Sequence, residues 1–151
     1  TVGTSGTGES GTGGTSGTDT ATSGTSGSVN TVNYTGSITV ESPTNSDNIT
    51  LMYTDRAITI SKMSSVVKGT SSPEVQWTLK HSTDRSTTGN EVVTGGTTTN
   101  NTTTGIIVTL TSFNDATIPA NSYIWLEISS VTNAAEFHLS IKYSPDSGPS
   151  S

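Results

Sequence analysis

The chain has 151 residues, no cysteine, and six Lys and Arg against twelve Asp and Glu, for a formal charge of −6. That length reads as one domain. The missing thiols exclude disulfides and thiolate metal sites, and the scattered cations form no basic patch for nucleic acid or an anionic membrane. No apolar run approaches the length of a spanning helix and no signal-peptide pattern is present. A start at Thr1 is expected of a processed product or a segment of a longer protein.

Hydrophobic residues make up 28% of the chain, below the usual share for a globular domain, and they are unevenly placed. Residues 1–30 hold only Val2, Ala21 and Val29 as apolar side chains and cannot build a core. Their glycines fall three apart at Gly3 and Gly6, at Gly8, Gly11, Gly14 and Gly17, and at Gly24 and Gly27, with two slips of phase. Glycine at every third place suits a triple helix, where only Gly fits the axis. Without proline and over so short a run, the spacing reads first as a Gly/Ser/Thr linker or extended arm, with an interrupted collagen-like stalk as the alternative. Ordering such a backbone costs about 1–2 kcal/mol per residue. Contacts must offset that cost, so the arm is expected to lie along partner subunits or to wind with two copies of itself, the alternative being that it folds back as a strand of its own domain.

Residues 31–145 change character. Tyr34, Ile38 and Val40 alternate with polar neighbours until Ser42-Pro43, and a turn at 44–48 leads into Ile49-Thr50-Leu51-Met52-Tyr53. Ile58 and Ile60 open a run that Val66 and Val67 close, before a break at Gly69 and Ser72-Pro73. Val75, Trp77 and Leu79 then share a face. Val92-Val93-Thr94 meets Gly95-Gly96, which suits a tight turn with positive φ at both central residues, and the Thr-rich stretch 97–104 suits a polar edge hairpin. Ile106, Val108 and Leu110 share one face, and Ile124, Leu126 and Ile128 another. Phe137, Leu139, Ile141 and Tyr143 form the clearest strand. Seven to nine strands of period two, with no helical periodicity, predict an all-β antiparallel sandwich or jelly roll. The polar tail 146–151 is expected to fray.

Residues that carry chemistry are few. His81 ends a strand and His138 sits on an outward face, and both are expected to be solvated, since a metal site needs convergent ligands. No nucleophile elbow, phosphate loop or EF-hand spacing is present, so the glycines of the arm are not expected to bind a nucleotide, nor Asp47, Asp55, Asp84 and Asp115 to hold calcium. Glu74, Glu91, Glu127 and Glu136 are expected to solubilise the surface rather than pair for glycoside hydrolysis. No catalytic residue, cofactor or metal is expected. Sequons at Asn33, Asn48, Asn100 and Asn101 carry little weight in so Thr-rich a chain. Trp77 belongs to the core. Tyr123 and Trp125 point away from Ile124 and Leu126, either to a contact face for protein or sugar or into a second layer of the same chain.

The stretches Thr83-Asp84-Arg85-Ser86-Thr87-Thr88-Gly89, Gly95-Gly96-Thr97-Thr98, Thr102 to Gly105, and Ile118-Pro119-Ala120-Asn121-Ser122-Tyr123-Ile124-Trp125-Leu126-Glu127 resemble those of a small β-sandwich domain in structural proteins of tailed bacteriophages. The Gly3-Thr4-Ser5-Gly6 and Gly24-Thr25-Ser26-Gly27 triplets are similar to collagen-like stretches of phage fibre proteins. The resemblance implies a virion structural role as fibre, decoration or tail-associated module. It further implies location at the virion surface, assembly with other virion subunits as a homo-oligomer with a trimer favoured, and contact with a host-surface glycan or protein. It brings no catalytic residue. The competing expectation is a subunit of a bacterial extracellular filament or a cell-surface adhesin, with glycans on the Ser/Thr-rich arm.

Overall fold

The computed structural model describes residues 32–100 and 107–146. The arm with Gly3, Gly6, Gly11, Gly14, Gly17, Gly24 and Gly27, the stretch Thr102 to Gly105, and residues 147–151 lie outside them. The described residues form one antiparallel sheet without a helix. In chain order the strands are β1 (Tyr34–Glu41), β2 (Asn48–Thr54), β3 (Ile58–Ser82), β4 (Asn90–Glu91), β5 (Thr97–Asn100), β6 (Val108–Leu110), β7 (Thr117–Ile118) and β8 (Ser122–Pro145).

Two of these strands carry the rest. β3, of 25 residues, and β8, of 24, pair from Tyr123 opposite Ser82 at one end to Pro145 opposite Ile58 at the other. On the free side of β8, β1 pairs with residues 136–143 and β2 with 122–127. On the free side of β3, β7, β6, β5 and β4 follow one another along the strand.

The ladder is bent in the middle. Its register shifts between Ile128 and Ser130, Thr132 and Ala134, and Ala134 and Glu136. Ser71, Ser72 and Asn133 adopt left-handed φ of 53°, 59° and 52°, a region where short polar side chains are tolerated because they bond locally. The Asn133 side-chain amide does so, donating to the Ser71 carbonyl at 3.0 Å. Bending brings the two halves of the ladder face to face, with the Trp77 and Phe137 rings 5.8 Å apart. Between the layers, Thr99 Oγ1 lies 2.8 Å from Ser65 Oγ and accepts the Trp77 indole N–H at 2.9 Å, so the buried polar atoms at this crossing find partners.

Period-two alternation fills the space between the layers. Val75, Trp77, Leu79, Ile124, Leu126 and Ile128 come from one half, and Ile58, Ile60, Met63, Val67, Phe137, Leu139 and Ile141 from the other, all buried. Each such side chain contributes about 1.5–3 kcal/mol on burial. The phase change between Ile60 and Met63 coincides with a register shift opposite Lys142 and Tyr143, as a bulge requires.

Two local expectations are corrected. The break at Gly69 to Pro73 does not end a strand, because β3 passes through it as the bend. The Gly95-Gly96 turn does not close a hairpin, since β4 and β5 both pair with β3 rather than with each other. Only Gly96 takes positive φ, at 82°, while Thr97 N–H donates to the Thr94 carbonyl at 3.2 Å. Positive φ at the third residue alone is the type II pattern.

Ile141→Asp places a carboxylate among fully buried side chains, at a cost above about 4 kcal/mol, comparable with the whole stability of such a domain. The variant is expected to lose its cooperative transition in a circular-dichroism melt, and an unchanged melt would refute the core.

Candidate functional site: a tyrosine-lined groove

Tyr123 and Trp125 leave β8 on the face opposite Ile124 and Leu126, but they meet different fates. Trp125 is 0% exposed. The 83–89 turn lies over it, with the Arg85 guanidinium 4.4 Å from the ring centroid. The turn is locked by its own side chains. Asp84 Oδ1 accepts from Ser86 N–H at 2.9 Å and Ser86 Oγ at 2.7 Å, and Thr87 Oγ1 donates to the Asp84 carbonyl at 2.8 Å. Those Ser86 bonds hold the Asp84 carboxyl below its ordinary range. Arg85 also donates to Thr50 Oγ1 at 2.9 Å and to Asn48 Oδ1. The expected contact face is therefore corrected at Trp125, whose ring is sealed by its own chain.

Glu127 anchors the same cluster. It accepts from Trp125 Nε1–H at 2.9 Å and pairs with Lys80 Nζ at 2.9 Å. Burial pushes its carboxyl up. The Trp125 and Lys80 bonds and the charges of Lys80 and Arg85 outweigh burial and hold it below the usual glutamate range. This carboxylate is a structural acceptor, drawn into the tryptophan lid.

Tyr123 is half-buried and remains at the surface, packed against Tyr53 with ring centroids 4.9 Å apart. Tyr53 owes its position to a bulge. Alternation from Ile49 and Leu51 would turn it inward, but the register shifts where Ile124 faces Met52 and Trp125 faces Thr50. Tyr53 thus points out, 49% exposed, and its hydroxyl donates to Asn121 Oδ1 at 3.1 Å. At the start of β1, Tyr34 is 48% exposed and stacks on Tyr143 at 5.8 Å. Tyr34, Tyr53 and Tyr143 line one groove of about 250 Å³ with Met52, Thr54, Ile58 and Pro145, and the exposed Asp55 and Arg56 form its rim. With Tyr123 behind Tyr53, all four tyrosines of the chain gather at one end of the sandwich.

Sequence reasoning reached Tyr123 and missed the other three as a site. Tyr34 and Tyr143 lie far apart in the chain, and only their pairing across β1 and β8 joins them. His81 is a second correction. It is 2% exposed, with Nε2 2.8 Å from Asp115 Oδ2 and a buried Nδ1 without a partner among the described residues. The alternation Val75, Trp77, Leu79 extends by two to His81, and that signal placed it inward. His138 is half-buried between Thr39 Oγ1 and Ser140 Oγ, at 2.7 and 2.8 Å. Asp47, Asp55, Asp84 and Asp115 occupy separate turns, and among the described residues no three His, Asp or Glu gather as a metal site would require.

Gly89 packs its bare Cα against Trp125 at φ 76°, and a methyl there would overlap the indole. Gly89→Ala is expected to cost about 3 kcal/mol, from left-handed strain plus overpacking, read as a fall in Tm of about 10 °C or more. A Tm within error of the parent would contradict the lid. For Glu127 the sign is set by a folded-state pKa lower than the unfolded value of about 4.3. Its stabilisation is complete above that value and is lost as pH falls through the folded pKa. Denaturant melts of the parent and Glu127→Gln between neutral and acid pH are expected to converge as pH drops, whereas a pH-independent gap would contradict the network.

No protein-family model matches the sequence, and no curated protein does. Among solved structures, the chain is similar to infectious bursal virus derived T=1 particles, at 13% identity and a TM-score of 0.41 over 80% of this chain and 33% of that one. The infectious bursal disease virus Gx strain gives 16% identity and a TM-score of 0.40 over 80% and 33%. The cyanophage Pam1 capsid asymmetric unit gives 12% and 0.37 over 78% and 86%. The chain thus spans about a third of the length of the bursal virus chains. Overlap at this level assigns neither a fold family nor a function to it.

Proposed function

We propose that the chain is a non-catalytic structural module of a virion surface, a fibre, decoration or tail-associated component that acts by assembly and adhesion. The observation that carries this reading is the convergence of four tyrosines on one end of a sandwich held by two long strands. Tyrosine presents a large face and a polar tip at small entropic cost, which suits recognition at a surface. The resemblance of the 83–89 and 118–127 stretches to phage structural domains supports the virion setting, and in this fold those stretches make the tryptophan lid and the strand beneath it. Residues 1–30 would serve as the assembly arm toward neighbouring subunits, in an oligomer for which a trimer is favoured.

Antibody raised against the domain and imaged on source material by electron microscopy is expected to decorate virus particles. Label on cell-surface filaments would instead support the filament or adhesin reading. A chain lacking residues 1–30 is expected to keep its domain melt and to lose its place on the particle. Full occupancy by the truncated chain would overturn the role of the arm.

A further inference from the structure

We infer that the groove between Tyr34, Tyr53 and Tyr143 is a binding site for a neutral saccharide, an inference that rests on the adhesive reading above and names its ligand class. The groove, of about 250 Å³, is concave and open at the end of the sandwich. Two of its walls are tyrosine rings about half exposed, and a flat apolar face is what the C–H side of a pyranose ring covers. Both rings are held before any ligand arrives, Tyr34 by its stack on Tyr143 and Tyr53 by Tyr123 and the Asn121 bond. A site held in this way loses little further freedom on binding.

The rim decides the class of sugar. Asp55 and Arg56 stand side by side and exposed on a turn fixed by Thr54, whose Oγ1 donates to the Arg56 carbonyl at 2.5 Å and accepts its N–H at 3.3 Å. An ionised carboxylate only accepts and a guanidinium only donates. A hydroxyl does both, so adjacent sugar hydroxyls can satisfy the two groups together. The adjacent opposite charges cancel locally, and the chain as a whole carries −6. An acidic sugar would therefore meet Asp55 and a negative protein, with Arg56 the one cation lining the groove among the described residues.

The test is a titration of the ¹⁵N-labelled chain with methyl glucoside, methyl mannoside and N-acetylglucosamine, with N-acetylneuraminic acid as the acidic control. At least one neutral probe is expected to shift the amides of Tyr53, Asp55, Arg56 and Tyr143 with a Kd of about 1 mM. Tyr53→Ala and the exposed-rim variant Asp55→Ala should each weaken that binding by about tenfold or more, while Tyr53→Phe, which keeps the ring, retains it. Four results would overturn the assignment: no shift from any neutral probe, shifts confined to another face, equal binding of the acidic control, or concentration-dependent self-association that buries Tyr53. Particle labelling by antibody is unaffected by any of these, so failure of the saccharide site and failure of the virion reading remain separable.

Discussion

The pairing of β3 with β8 is the constraint on which the other elements depend. Every shorter strand bonds to one of these two, and β4 and β7 are only two residues long. Strands so short leave little open edge for unwanted pairing with another chain. They also lack the hydrogen bonds to stand alone, so loss of the long ladder removes the frame for all of them. The bend at Ser71, Ser72 and Asn133 turns that ladder into a sandwich, because it lays the Trp77 half over the Phe137 half.

The same bend creates the candidate site. A folded ribbon has all four of its ends at one place. Ile58 and Pro145 close one layer there, and Ser82 and Tyr123 close the other. β1 delivers Tyr34 beside Tyr143, and the bulge in β2 turns Tyr53 outward beside Tyr123. The two tryptophans serve the scaffold, one within the core and one beneath the 83–89 lid, which leaves tyrosine as the exposed aromatic.

Much of this was legible in the sequence. The inward sets on β3 and β8 follow directly from period two, and Trp77 and Ile141 lie where alternation places them. Joining the two runs of β3 was not legible, because Gly69, Ser72 and Pro73 are ordinary turn signals. Their use inside a strand depends on Asn133, more than sixty residues away in the chain. Parity turned Trp125 to the face opposite Leu126, but nothing local showed that Arg85 and Gly89 would cover it. His81 continues the inward parity of Val75, Trp77 and Leu79, although its place at the end of β3 suggests solvent. The convergence of the tyrosines needed the bend, the bulge and the register together, and no local pattern contains all three.

β3 and β8 form one continuous, bent ladder that holds both layers and the tyrosine end as a unit. Native-state hydrogen exchange tests it most directly. Amides of residues 60–67, 75–81, 124–128 and 137–142 are expected to exchange only through a single opening, with one common free energy equal to that of global unfolding. Two separate exchange free energies, one for each side of the bend, would show two independently held hairpin-like layers and contradict the account.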